Sequence, residues 1–259
     1  MLELPAHGPG AASYGFALAV FAAFALYLAL AARRGARAAL LLAAVAASGL
    51  WAALNLAHAI EPSPALWTAQ FAADGLRMAA WLLFAGALIV GTRRLGWWSA
   101  ALAVSIAAVF VLPRDGAIGL YLALAIAGLV LVEQVFRRVE PNSRWSVKPL
   151  CLGLGAAFVF DLYLYADALL FGRMDADLWA ARGLAQALAL PAIAVATARN
   201  RAWTLDIALS RGVVIEPGKD LFYGSNRPTQ FFRLGFSSIP TDRIRPGIEI
   251  LGKALRELF

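Results

Sequence analysis

Ionisable side chains stand inside three long apolar runs of this sequence. The candidates are Asp74 and Arg77 in the first run, Asp161, Tyr165 and Asp167 in the second, and Arg182 in the third. Side chains three or four residues apart share one face of a helix, so Asp74 can pair with Arg77, and Asp161 can act together with Tyr165. Ionisable groups at membrane depth face a bundle interior or an aqueous cavity, and they are functional by default.

Two interpretations of these charges stay open at the level of the sequence. They form either a structural network of ion pairs or a polar core that responds to a ligand or a signal. Asp74 and Asp161 are predicted to lie deepest in their runs. Asp167 and Arg182 lie nearer the predicted outer ends, where an interfacial pair between them would also explain their presence.

The residue inventory argues against several kinds of cofactor chemistry. A Schiff-base cofactor needs a buried lysine; Lys148 stands at the first residue of the span 148–171, and Lys219 and Lys253 lie outside the spans, so none lies in the interior of a span. A zinc site uses three or four Cys, His or carboxylate ligands, and the two histidines, His7 and His58, are far apart in the chain. The sequence therefore predicts no metal and no cofactor.

The same residues bear on two further membrane activities, intramembrane proteolysis and transport. An aspartyl dyad needs two carboxylates that share a proton, and Arg77 beside Asp74 favours an ion pair instead. A small transporter or channel built on the polar core is an alternative, with Pro191 as the residue that could kink a span.

The composition is that of an integral membrane protein. The chain has 61% hydrophobic and 15% charged residues and a mean hydropathy of +0.71. Soluble domains have about 25% charged residues. The formal net charge is +7, but the arginines stand at the ends of apolar runs and form no basic stripe, so no nucleic-acid partner is expected. No Lys or Arg precedes the first run, which argues against a cleaved signal peptide.

Seven apolar segments are long enough, or nearly so, to cross a bilayer as helices. About 20 helical residues span the roughly 30 Å hydrocarbon core. The fourth segment is the shortest. The predicted spans are 12–32, 38–60, 66–91, 97–112, 116–136, 148–171 and 177–198.

The connectors between the spans predict the orientation. The first, third and fifth connectors hold three, two and four Lys or Arg residues, and the second, fourth and sixth hold none, one and one. Basic connectors remain in the cytoplasm. The sequence therefore predicts an N-terminus outside and a C-terminus inside.

A change in composition divides the chain into a membrane domain, 1–200, and a cytoplasmic tail, 201–259. GVVIEPG (212–218) and FFRLGFSS (231–238) have the composition of short strands bounded by turn residues. Ile244, Ile248, Leu251 and Leu255 recur at helical spacing. The predicted fold is an all-α polytopic membrane protein with a small α+β tail.

The second half of the membrane domain resembles one family. The matching stretches, in order, are VEQVFRR (132–138), RWSVKPLCLGLG (144–155), FDLYLYADALLF (160–171), DADLWAARG (175–183) and ARNRAWTLDIALSR (198–211). They resemble the N-terminal membrane region of the PEP-CTERM-system sensor histidine kinases of the PrsK type. The resemblance implies a multi-pass sensor in the bacterial inner membrane, a two-component system and a link to exosortase-associated export.

The resemblance to that family ends at about Arg211. The further span, GAF-like segment, phospho-acceptor histidine and ATP-binding domain of the family have no counterpart after this point, so no catalysis is expected from this chain. The expected partners are the lipid bilayer, a membrane protein of the exosortase system and, as in sensor kinases, a second copy of the chain.

The tail carries a separate resemblance. Residues 211–255 are similar to the end of MocR-type regulators, which join a GntR-family DNA-binding domain to an aminotransferase fold. That resemblance implies that Arg233 would bind a substrate carboxylate. The matching part does not include the region of that family that holds the Schiff-base lysine and the pyridoxal phosphate site. The two resemblances meet within SRGVV, which predicts a rearranged or mis-assembled reading frame. A fragment of a pyridoxal-phosphate regulator is the alternative classification.

Overall fold

The computed structural model describes residues 8–30, 35–92, 95–109, 111–139 and 144–199, and the pairs 216–217, 232–233 and 248–249. The chain divides into two compact units, Met1–Thr204 and Leu205–Phe259. Seven helices lie in the described part of the first unit: α1 Gly8–Leu30, α2 Ala36–Ile60, α3 Pro64–Val90, α4 Gly96–Val109, α5 Arg114–Arg138, α6 Arg144–Phe171 and α7 Ala176–Arg199.

Six of these helices are long and apolar enough to cross a membrane. The exception is α4, whose 14 residues rise about 21 Å, short of the roughly 30 Å of a hydrocarbon core. The prediction of an all-α, multi-pass membrane protein is thus confirmed. The helix α6 starts at Arg144, four residues before the predicted span, and Pro149 lies inside the helix.

The short connectors contain the signals that end and start the helices. Ser63 caps α3, since its Oγ accepts a hydrogen bond from the Leu66 backbone N–H at 3.2 Å. After α6, Gly172 takes the left-handed conformation with φ 65°, which glycine adopts without strain. Asp175 then caps α7, because its Oδ1 accepts from the backbone N–H of Asp177 at 2.9 Å.

The six long helices form a closed ring. Each packs against two others in the order α1, α2, α3, α5, α6, α7 and back to α1. The helix α4 packs only weakly, against α3 and α5, and it buries two residues, Leu102 and Val109. The ring therefore has an interior to which all six long helices contribute side chains.

The neighbouring helices α3 and α5 run in the same direction. Near their starts, the Tyr121 hydroxyl donates to the Phe71 carbonyl at 2.5 Å. Near their ends, Arg138 Nη1 donates to the Ile89 carbonyl at 3.5 Å. Because two parallel neighbours need a connection that returns along their length, residues 91–113, which include α4, run from the end of α3 back to the start of α5.

Glycines allow two of the ring contacts to be close. A Cβ atom at Gly153 of α6 would lie 2.7 Å from the Ala189 carbonyl oxygen of α7. A Cβ atom at Gly183 of α7 would lie 2.9 Å from the Ser13 backbone of α1. Small residues let membrane helices approach in this way when no hydrophobic effect drives them together. The helix α7 is therefore held closely between α6 and α1.

In the second unit, β1 (Glu216–Pro217) and β2 (Phe232–Arg233) pair in antiparallel fashion, with Glu216 opposite Arg233. Ile248 and Glu249 are helical. The rest of the two predicted strands, and Ile244, Leu251 and Leu255 of the predicted amphipathic helix, lie outside the described residues.

Candidate functional site: a buried charge cluster

Four charged side chains meet inside the ring, and we call them the charge cluster: Asp74, Arg77, Asp161 and Arg182. The first two come from α3, and the others come from α6 and α7. None of the four is more than 2% exposed. The sequence singled out all four residues, and the structure brings them into direct contact.

Arg77 joins the carboxylates of two helices. Its Nε and Nη2 donate to Asp74 Oδ1 at 3.1 and 2.8 Å. The same Nη2 also donates to Asp161 Oδ2 at 2.7 Å. One guanidinium therefore links neighbouring turns of α3 to the middle of α6.

Arg182 makes the same kind of link from α7. Its Nε and Nη2 donate to Asp161 Oδ1 at 2.9 and 2.7 Å. Nη2 also lies 2.8 Å from Asp74 Oδ2 and 2.9 Å from Asp74 Oδ1. Each arginine is thus shared between both aspartates, and each aspartate between both arginines.

Two neutral side chains complete the hydrogen bonding around the cluster. The Tyr165 hydroxyl donates to Asp74 Oδ2 and accepts from Arg182 Nη2, the latter at 3.1 Å. Gln186 Nε2 donates to Asp161 Oδ1 at 3.1 Å and to the Ala157 carbonyl at 3.2 Å. Buried carboxylates need such donors, because a lone pair without a partner in a dry interior costs free energy.

Aromatic rings form the apolar wall of the cluster. The guanidinium carbons of Arg77 and Arg182 lie 4.7 and 5.2 Å from the Trp51 ring centroid. Arg182 also lies 5.3 Å from the Trp179 ring. These are cation–π distances, and such contacts strengthen when water is excluded. Arg182 Nη1 and Trp51 Nε1 are buried and have no hydrogen-bond partner among the residues described, so they remain available as donors.

The formal charges of the cluster cancel, since two carboxylates face two guanidiniums. A buried pair of this kind contributes little net stability, because desolvation opposes the attraction between the charges. Removal of one partner is different, since it leaves an uncompensated charge in a medium of low dielectric constant. The arrangement therefore makes the mutual position of α3, α6 and α7 sensitive to any change in one member.

Two sequence-predicted residues lie away from the cluster. Asp167 of α6 is half-buried, and its side chain has no ion pair or hydrogen bond with the described part of the chain. The interfacial pair of Asp167 with Arg182 is therefore not formed, and Arg182 binds the two deeper aspartates instead. Arg233 lies in β2, and its side chain is outside the described residues.

Sequence reasoning missed several polar members of the ring interior. Gln186 binds Asp161, the Trp81 indole donates to Ser48 Oγ at 3.0 Å, and the Tyr14 hydroxyl donates to the Trp179 carbonyl at 2.6 Å. Gln186 could have been found from its spacing, because it follows Arg182 by one helical turn. Ser48 and Tyr14 carry no such signal, since a single hydroxyl in an apolar run is common.

Among the described residues, no group of three or more His, Cys, Asp or Glu side chains is placed to hold a metal ion. Comparisons of the chain with protein-family models, with curated proteins and with solved structures found no match.

Proposed function

We propose that residues 1–200 are the membrane sensor module of a PEP-CTERM-system histidine kinase, which detects a signal and does not itself catalyse a reaction. The observation that carries this proposal is the link between α7 and the rest of the ring. Arg182 of α7, the last described helix of the first unit, pairs with Asp74 of α3 and Asp161 of α6. A signal that moves either partner helix would act on α7.

The shared pairing suggests how such a signal could be passed on. Both guanidiniums contact both carboxylates, so a small shift of α7 can exchange partners without leaving a charge unpaired. Packed elements with two discrete arrangements convert small displacements into a change of state. We infer that the charge cluster is this two-state element, in the bacterial inner membrane, with a second copy of the chain or an exosortase-system protein as partner.

The proposed orientation has seven spans, an outer N-terminus and an inner C-terminus. The parallel course of α3 and α5 supports the number of crossings, because the segment that contains α4 must return between them. The alternation of basic connectors gives independent support.

Cysteine labelling tests this orientation. In a Cys151→Ser background, we expect Pro62→Cys, in the second connector, to react with a membrane-impermeant maleimide in intact cells. Ser143→Cys, in the fifth connector, should react only after the cells are opened. Labelling of both positions from outside, or of Pro62→Cys only after lysis, would contradict the orientation.

A chimera tests the sensor proposal itself. Residues 1–200 are joined to the kinase core of an intact family member, and autophosphorylation is measured in membranes. We expect Asp161→Asn to change the phosphorylation level by about fivefold or more, since coupling between sites commonly has this size. Tyr165→Phe, which keeps all four charges, should shift it in the same direction by less.

The matched control is Asp167→Asn on the same helix, which removes a carboxylate outside the cluster. Its phosphorylation should equal that of the parent chimera. Membrane insertion of every variant is checked by extraction and immunoblot. Equal phosphorylation in the Asp161 and Asp167 variants, with insertion intact, would reject the cluster as the sensing element.

A further inference from the structure

A pocket of about 190 Å³ opens at the end of the bundle where α3 and α5 start and α4 ends. Among the described residues, its lining is apolar and aromatic except for one cation. The lining residues that bear on the ligand are Trp67, Phe71, Arg114 and Ile118. In the proposed orientation this end faces the outside of the cell. The pocket is separate from the charge cluster, and none of its lining residues belongs to that cluster.

The chemistry of the lining indicates the class of ligand. Arg114 is exposed and stands at the first turn of α5, where the helix dipole also favours an anion. Asp115 beside it is exposed and does not line the pocket. The volume is below the roughly 300–1,000 Å³ of sites that enclose drug-sized ligands, so it suits a short acyl chain or a single ring.

Phe71 connects the pocket to the charge cluster through Tyr121. Its carbonyl accepts the Tyr121 hydroxyl at 2.5 Å, and the two rings meet edge to face at 5.2 Å. The Tyr121 ring in turn stacks on Tyr165 at 5.1 Å, and Tyr165 donates to Asp74.

A second set of contacts runs through Trp179. Phe71 stacks on the Trp179 ring at 6.5 Å, and Trp67 lies 5.9 Å from the same ring. Trp179 packs against the Arg182 guanidinium. A ligand that displaces Phe71 would therefore act on Arg182 through Trp179, and on Asp74 through Tyr121 and Tyr165.

We propose that this pocket binds an amphipathic anion, a carboxylate or phosphate group on a short apolar chain, with the anionic group on Arg114 and the chain against Phe71 and Ile118. The role of this pocket as the input of the sensor rests on the proposed function. Its binding chemistry does not depend on that function. The anion can come from a membrane lipid headgroup or from a free amphiphile outside the cell.

Equilibrium binding of radiolabelled decanoate to the full chain tests the site. In phosphatidylcholine nanodiscs we expect saturable binding with one site per chain. Arg114→Gln should weaken it about tenfold or more, because a charged hydrogen-bond partner is lost. Arg137→Gln, on the same helix at its opposite end and 70% exposed, should leave the affinity unchanged. Decanol, which lacks the charge, should bind as weakly as decanoate binds to the Arg114 variant.

The outcomes separate the source of the ligand from the existence of the site. Competition by phosphatidylglycerol added to the nanodiscs would support the site and name a lipid as its source. Saturable decanoate binding without such competition would support the site and name a free amphiphile. Absence of saturable binding, or equal affinity in the parent and in Arg114→Gln, would overturn the proposal.

A second measurement tests the connection to the cluster. Because coupling between two sites is reciprocal, Asp161→Asn should change the affinity for decanoate by several-fold. Unchanged affinity would overturn the role of the pocket as the sensor input. Failed binding together with a responsive chimera would reject the pocket alone, whereas normal binding together with an unresponsive chimera would reject the proposed function alone.

Discussion

Replacing Arg182 with methionine is expected to lower the free energy of unfolding by about 3–5 kcal/mol, the cost of leaving a buried charge without its partner. Methionine fills much of the space of the arginine stem, so the loss reports the charge more than a cavity. Two carboxylates would then face one guanidinium inside the ring. The measurement is unfolding in mixed micelles by titration with sodium dodecyl sulfate.

The exposed pair on α5 provides the control. Arg137 lies 2.8 Å from Glu133, and the two side chains are 70% and 53% exposed. Arg137→Met should cost less than about 1 kcal/mol, because water screens such a pair. A similar loss in the Arg137 and Arg182 variants would contradict the importance of burial.

A double variant then separates charge balance from packing. Asp161→Asn alone leaves one excess positive charge in the cluster, and Arg182→Met alone leaves one excess negative charge. The two changes together restore neutrality, with Asp74 and Arg77 still paired. We expect the double variant to be more stable than the sum of the single losses predicts, by about 1–3 kcal/mol. Strict additivity would show that the four charges do not act as one unit.

The residues of the cluster could be predicted from the sequence, but their partners could not. Charges in apolar runs are conspicuous because they are costly there, which is why Asp74, Asp161 and Arg182 all stood out. Partner choice depends on how each helix is rotated about its own axis and which helices are neighbours. A run of alanine and leucine, apolar on every side, contains little information about either.

Asp167 illustrates this limit in one helix. It follows Asp161 by six residues, or about 240° around the helix, so the two carboxylates point in different directions. Tyr165, four residues after Asp161, lies nearly on the same face and joins the cluster. Helical phase therefore predicts that Tyr165, and not Asp167, shares the face of Asp161 and reaches the cluster, whereas depth along the run, used alone, gave an interfacial pair that does not form.

The order of the helices in the ring could not be predicted from the number of apolar segments. Seven apolar segments predict an all-α membrane protein, and six helices of spanning length are present. The position of α4 outside the ring depends on the contact of α3 with α5 and of α1 with α7. The latter contact needs the close approach at Gly183, and one glycine among many in such a chain is not recognisable in advance.

The contact of α6 with α7 leads to the second large effect. Gly153→Leu is expected to lower the free energy of unfolding by about 3 kcal/mol, since overpacking forces backbone shifts. The new Cβ atom would meet the Ala189 carbonyl oxygen at 2.7 Å and Ile193 Cγ1 at 3.0 Å. A carbonyl oxygen in a helix cannot move aside as a flexible side chain can, so the two helices must separate.

Gly155→Leu is the matched control, because it makes the same change two residues along the same helix, where nothing lies within 4 Å of the new Cβ atom. Its effect should stay within about 0.5 kcal/mol. Both variants are compared with the parent by the same titration in mixed micelles. A loss of equal size in both would assign the effect to the added leucine side chain wherever it stands on α6, and not to the contact with α7, because the gain in helix propensity from glycine to leucine acts in the opposite direction.

Combining Gly153→Leu with Arg182→Met asks whether α6 and α7 move as rigid bodies. Gly153 lies eight residues, about 12 Å, from Asp161 along α6, a separation at which independent sites are additive. If separation of the helices at Gly153 also pulls Asp161 away from Arg182, the parent pair is already weakened in the glycine variant. Gly153→Leu should then lower the free energy of unfolding by less in the Arg182→Met background than in the parent, because the pair of Asp161 with Arg182 is already absent there. Additive losses would mean that the packing contact and the charge cluster are independent, and that a ligand could act on one without affecting the other.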